Sequence, residues 1–163
     1  MTKRLVFAFY YTIPSWYSPW KKLQLKAIQK WTNSPFYHVE FKLDDMWVSA
    51  DPVGITLKKH KKFSDQYKYL YIDVTTCAEH HVKIKEWIKS IEGEPYDMLA
   101  IYLRQFINLG KQDNRSWICS EISNKILQLY CIEPFIRIES SNQDPSEIYD
   151  MLLEAGALEF KNV

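Results

Sequence analysis

The stretch FYHVEFKL, residues 36–43, alternates as a half-buried strand does and carries one histidine within that alternation. Successive strand side chains point to opposite faces, so Phe36, His38, Glu40 and Lys42 share one side. Tyr37, Val39, Phe41 and Leu43 share the other, which is apolar and reads as the core face. His38 and Glu40 then look toward a more polar side, where either a cleft or solvent would lie. The run MWVSA (46–50) reads as a second strand, with Asp44-Asp45 as a two-residue hairpin turn between them. In that register Glu40 opposes Ser49 and His38 opposes Asp51, and a slip of one residue would exchange the faces.

Working outward, a strand is expected over residues 4–11, then the loop IPSWYSPW (13–20). A helix follows from about Trp20 to Trp31, with Leu23, Ala27, Ile28 and Trp31 spaced as one buried face. VGITL (53–57) and YKYLYIDV (67–74) read as two further strands. The second half turns helical, beginning with residues 79–91 around Val82, Ile84, Trp87, Ile88 and Ile91. YDMLAIYLRQFINLG reads as a helix stopped at Gly110, and another is expected to start near Ser116. FIRI (135–138) reads as a short strand. Asp144 as N-cap, Pro145 at N1 and Glu147 at N3 mark the start of a last helix, which Gly156 closes. The fold class expected is α+β, a small antiparallel sheet packed against helices.

The chain has 163 residues, which suits a single domain over 1–163. Hydrophobic residues make up 47% and aromatics 15%, too rich for a disordered chain. The 21 Lys plus Arg against 20 Asp plus Glu leave a net charge of +1, so overall charge makes no argument for nucleic acid. KKHKK (58–62) is the one dense basic run and reads as a solvated loop or strand end. Three cysteines, Cys77, Cys119 and Cys131, do not form a disulfide framework and suit a reducing compartment. The apolar run after MTKR is too short for a bilayer span, which needs about twenty residues. It lacks a signal-peptide cleavage pattern, so it reads as a buried first strand of a cytoplasmic protein.

Chemistry enters with RSWICSEISNKIL, residues 115–127. If Ser116 caps the helix, Cys119 sits at N3, where unpaired N–H groups and the helix dipole stabilise a thiolate. The same N–H groups suit the oxyanion of a tetrahedral intermediate. Cys119, Ile122, Ile126 and Leu129 also keep helical spacing, and by spacing alone Cys119 reads as a core thiol before it reads as a nucleophile. His38 is the candidate base, with a solvated strand histidine as the alternative. Glu40 is the third residue that would orient the imidazole, and Ser49 or Asp51 are the alternatives. Cys77-x-x-His80-His81 has ligand residue types but no second pair, and reads as a helix start with exposed histidines. No glycine-rich phosphate loop occurs. No metal and no cofactor is expected.

The order of these pieces resembles the circularly permuted branch of the NlpC/P60 superfamily, the papain-like thiol hydrolases that include the YiiX-like proteins. WKKLQLKAIQKWTNSPFYHVEF resembles that family's helix and HVE strand. WVSADPVGITL resembles the following strand pair, and GEPYD with WICSE resembles the lead-in and the nucleophile helix. DPSEIYDMLLEAG resembles a closing helix that starts at a proline. Together they span most of the chain, with histidine before cysteine. The resemblance implies a papain-like fold, Cys119 as nucleophile and His38 as general base and then acid. It implies cleavage or transfer at an amide, peptide or ester bond through a thioester, on a peptide or lipid-like acyl substrate. Relatives often carry a glutamate, or another polar residue that orients the imidazole, in the strand after the histidine strand. Ser49 occupies that position here. That departure motivates an alternative, a catalytically silent module that holds a partner protein in the same cleft. Compact single-domain relatives are common in viruses and phages.

Overall fold

The computed structural model describes residues 1–59, 64–96, 118–138 and 143–160. Six strands form one antiparallel sheet: β1 (Thr2–Tyr10), β2 (His38–Leu43), β3 (Met46–Asp51), β4 (Gly54–Lys58), β5 (Tyr67–Thr75) and β6 (Leu158–Phe160). Their spatial order is β4-β3-β2-β1-β5-β6. Four α-helices occur among the described residues: α1 (Pro19–Trp31), α2 (Ala78–Ser90), α3 (Cys119–Leu129) and α4 (Pro145–Glu154). The architecture is thus α+β.

Register explains which sheet face is the core. Leu5, Phe7 and Phe9 of β1 stand opposite Leu43, Phe41 and Val39 of β2. On its other side β1 sets Leu5 against Ile72 and Phe7 against Leu70 of β5. These side chains form one apolar layer, closed by Ile84 and Ile88 of α2, Ile122 and Ile126 of α3, and Ile148 and Leu152 of α4. Each fully buried Phe, Leu or Ile contributes about 1.5–3 kcal/mol. The hairpin turn is Asp44-Asp45, pairing Leu43 with Met46 and Phe41 with Val48. The same register, continued, sets Glu40 beside Ser49.

The opposite face is not simply polar. Ala8, Trp47 and Tyr69 are buried there, with Val6, Tyr10 and Tyr67 packed against them. His38, Glu40 and Ser49 belong to this face and lie beneath aromatic rings; Glu40 is 6% and Ser49 2% exposed. A solvated strand histidine is therefore excluded: the ring of His38 meets that of Tyr10 edge-on, with centroids 5.0 Å apart.

Several expectations need correction. FIRI is not a strand; Phe135–Arg137 form a 3-10 turn, and Gln128 Nε2 donates to the carbonyls of Phe135 and Ile138. Those carbonyls are satisfied by a side chain, so no sheet neighbour is needed. In α1, Leu23 is 58% exposed and not part of a buried face. Gln29 Nε2 anchors this helix, donating to the carbonyls of Tyr11 and Pro35. In α2, Val82 is exposed and His81 takes the buried place. Both ring nitrogens of His81 have partners, Tyr130 Oη at 2.7 Å and Asp44 Oδ2 at 2.9 Å, which makes its burial tolerable. The strand β6 is too short to be legible in the sequence. The last helix follows its signature: Asp144 Oδ1 accepts from the N–H of Ser146 and Glu147, and Gly156 follows with φ +88°.

The helix read through Gly110, the cap at Ser116 and most of KKHKK lie outside the described residues. No helix among the described residues is long and apolar enough to cross a membrane.

Candidate active site

Helix α3 packs its first turn against β2 and β3, and this brings Cys119 to His38. Cys119 is the first residue of the helix, N1 and not N3, with Ile118 as the extended N-cap residue. The start is fixed there because Glu121 Oε2 accepts the N–H of Ile118 at 3.1 Å, reaching back from N3. At N1 the sulfur still lies at the positive end of the helix. It accepts the N–H of Ser120, and also that of Val39 from the strand. The imidazole of His38 hydrogen-bonds the same sulfur.

The two groups shift each other. Burial disfavours a thiolate, but the charge and hydrogen bond of His38, with the two backbone N–H groups, outweigh it. The Cys119 thiol is held below its ordinary value. Burial likewise disfavours imidazolium, yet Cys119 and then Glu40 overcome it and raise His38 to about 9. Each group thus favours the charged form of the other, thiolate on Cys119 and imidazolium on His38.

Two side chains meet the other side of the ring. Ser49 Oγ lies 3.2 Å from His38 Nε2, and Glu40 Oε1 lies 3.5 Å from the same nitrogen. Glu40 also accepts a hydrogen bond from Tyr10, whose hydroxyl is driven far upward by burial and by the Glu40 charge. Asp51, the remaining alternative, turns away: its Oδ1 accepts the N–H of Val53 at 3.0 Å, and Lys58 Nζ lies 3.9 Å from Oδ2.

Sequence reasoning missed one residue. The Tyr96 hydroxyl hydrogen-bonds the Cys119 sulfur, and burial together with the thiolate keeps it protonated, well above its ordinary value. It is therefore a standing donor at the sulfur. Its position traces to Gly54, whose φ is +117° and where a Cβ would stand 2.8 Å from the carbonyl oxygen of Glu94. That close approach lets Ile55 N–H donate to Glu94 O and Gly93 N–H donate to Ile55 O, both at 2.9 Å. The segment before Tyr96 is thereby laced to β4. GEPYD contains the signal only as a glycine-bounded turn, and nothing local says where its tyrosine goes.

Cys77, His80 and His81 do not converge. Cys77 Sγ accepts the N–H of His80, His80 Nε2 contacts the carbonyl of Leu129, and His81 is held by Asp44 and Tyr130. Among the described residues, no group of three His, Cys, Asp or Glu side chains is arranged to hold a metal. All three cysteines are unpaired; Cys77 and Cys131 are exposed and Cys119 is buried.

No family model matches this chain, and no curated protein sequence matches it.

Proposed function

We propose that this protein is a papain-like cysteine hydrolase or acyltransferase acting on an amide, peptide or ester bond. The observation that carries this reading is the buried Cys119–His38 contact, with the thiol lowered and the imidazole raised. A thiol that merely filled the core would have no need of an imidazole, two N–H donors and a tyrosine hydroxyl around its sulfur. Perturbed groups of opposite charge held together in this way are a hallmark of functional sites.

In this reading the Cys119 thiolate attacks the carbonyl carbon and a tetrahedral oxyanion forms. First-turn N–H groups of α3 are the available oxyanion donors, with the Tyr96 hydroxyl beside the sulfur. Imidazolium His38 gives its proton to the leaving nitrogen or oxygen, the C–N or C–O bond breaks, and a thioester remains on Cys119. Neutral His38 then takes a proton from water or another acceptor, which attacks the thioester. The acyl product departs, and thiolate and imidazolium are restored. No step requires a cofactor.

Glu40 is the third group we favour. It is buried, shares the strand face of His38 and supplies the negative charge that Ser49 lacks, while Ser49 adds a neutral hydrogen bond. The silent-module alternative rests on serine in place of a carboxylate, and Glu40 at 3.5 Å supplies that carboxylate.

Exposure to an activated acyl ester followed by intact-protein mass spectrometry tests the proposal. The expected result is one acyl adduct on Cys119 that discharges with time and is absent in Cys119→Ala. Equal acylation of Cys119→Ala would overturn it.

A further inference from the structure

Between Arg4 and Glu40 the chain carries four lysines and no acidic residue, although the whole protein is nearly neutral. This segment contains the loop before α1 and α1 itself, where three large apolar side chains face outward. Trp16 is 77%, Trp20 68% and Leu23 58% exposed. Burying side chains of this size is strongly favourable, so leaving three of them in solvent on one segment calls for an account.

The helix geometry groups these residues. Leu23, Lys26 and Lys30 follow one another at i, i+3 and i+7 and share a face, and Trp20 precedes Leu23 by three. Lys26 and Lys30 are exposed, and among the described residues no carboxylate pairs with either. Two other lysines brace the segment: Lys22 Nζ donates to the Ser15 carbonyl, and Lys21 Nζ lies over the Tyr17 ring, 4.3 Å from its centroid. Trp16 stacks edge-on against that same Tyr17, centroids 4.3 Å apart, so the loop holds the indole outward. Among its described side chains α1 has none that is fully buried.

We infer that this surface docks onto an anionic lipid bilayer. Outward tryptophans and a leucine would enter the headgroup boundary, while Lys26 and Lys30 meet the acidic headgroups. Nucleic acid is disfavoured because the aromatics sit on a convex helix and loop, not along a basic groove. Tyr17, against which Trp16 packs, lies within the field of Glu40 and Asp51; Glu40 stands beside His38, and the loop just past Asp51 carries Val53, 87% exposed.

Flotation of the full chain with phosphatidylcholine vesicles, with and without phosphatidylglycerol, tests the docking. The expected result is binding only to vesicles containing phosphatidylglycerol, weakened by salt. Trp16→Ala with Trp20→Ala should abolish it, and Lys26→Glu and Lys30→Glu should each weaken it by about fivefold or more. All four side chains are exposed, so unchanged circular dichroism will establish that these variants fold. Cys119→Ala should float as the wild type does, which separates docking from the thiol chemistry. Failure to bind phosphatidylglycerol vesicles, wild-type binding by the double tryptophan variant, or tighter binding to a single-stranded oligonucleotide than to vesicles would each overturn the inference.

Discussion

Glu40 Oε1 lies 3.5 Å from Nε2 of His38, from a position two residues along the same strand, and both side chains are largely buried. The i, i+2 spacing is what puts them on one face, and the aromatic layer of Tyr10, Tyr67 and Tyr69 keeps water from screening them. A carboxylate in that position stabilises imidazolium and so sets how long the ion pair with Cys119 survives as pH rises. Glu40→Gln keeps the shape and removes the charge. It should lower the His38 pKa from about 9, move the alkaline limb of the activity profile toward neutrality and cost about tenfold to a hundredfold in rate. Ser49→Ala should cost less and leave the alkaline limb close to that of the wild type. A pH–rate profile of each variant, with the acyl ester as substrate, makes the comparison.

Tyr96→Phe removes one hydroxyl donor from the sulfur while keeping the ring that fills the space. The Cys119 pKa should rise and the rate should fall about tenfold, since a hydrogen bond to a charged group is lost. Thiol alkylation followed across pH measures the first effect, and acyl-ester turnover the second.

Gly54→Ala tests the backbone support behind that tyrosine. Alanine at φ +117° is strained whatever the space, and here its Cβ also meets the Glu94 carbonyl. The expected cost is about 1–3 kcal/mol in stability, read from the urea midpoint. Activity should fall as in Tyr96→Phe, because the segment before Tyr96 is pushed off β4.

Asp44 ties three elements together, accepting from Lys3 Nζ at 3.0 Å and from His81 Nε2 and Lys85 Nζ at 2.9 Å. Burial alone would raise its carboxyl, but the bonds from His81, Lys85 and Lys3 hold it far below the ordinary range. A depressed carboxyl contributes stability above its unfolded pKa and loses it as pH falls. Asp44→Asn should therefore destabilise by about 1–2 kcal/mol near neutrality, allowing for solvent screening of the partly exposed carboxylate. The gap to the wild type should close as the solution is acidified below the carboxylate range, which denaturation at several pH values will measure.

Much of this site was legible because strand and turn patterns are local. FYHVEFKL announced its two faces from His38 on, although Phe36 lies in the core and Tyr37 against Tyr10 because the strand begins only at His38. Asp44-Asp45 fixed the register that sets Glu40 beside Ser49. The capping residues around Asp144 marked α4 for the same reason. What stayed hidden was set by distant partners. His81 reads as an exposed helix residue until Asp44 and Tyr130, remote in sequence, satisfy both of its nitrogens. Cys119 at N1 depends on Glu121 reaching back to Ile118, which competes with the cap that Ser116 suggests. Tyr96 meets the sulfur only because Gly54 lets another segment lie against β4. Leu23 fits a buried helical stripe by spacing, and only the tertiary structure leaves it in solvent.

The most direct test of the thiolate–imidazolium pair is residue-resolved alkylation of the three cysteines by iodoacetamide across pH. Two cysteine peptides without neighbouring charges, carried through the same reaction, serve as references for ordinary thiols. Cys119 should keep reacting at pH values where the references have stopped, and His38→Ala should shift its reactivity to the alkaline side of both. A Cys119 profile that coincides with those of the references, and does not move in His38→Ala, would contradict the account.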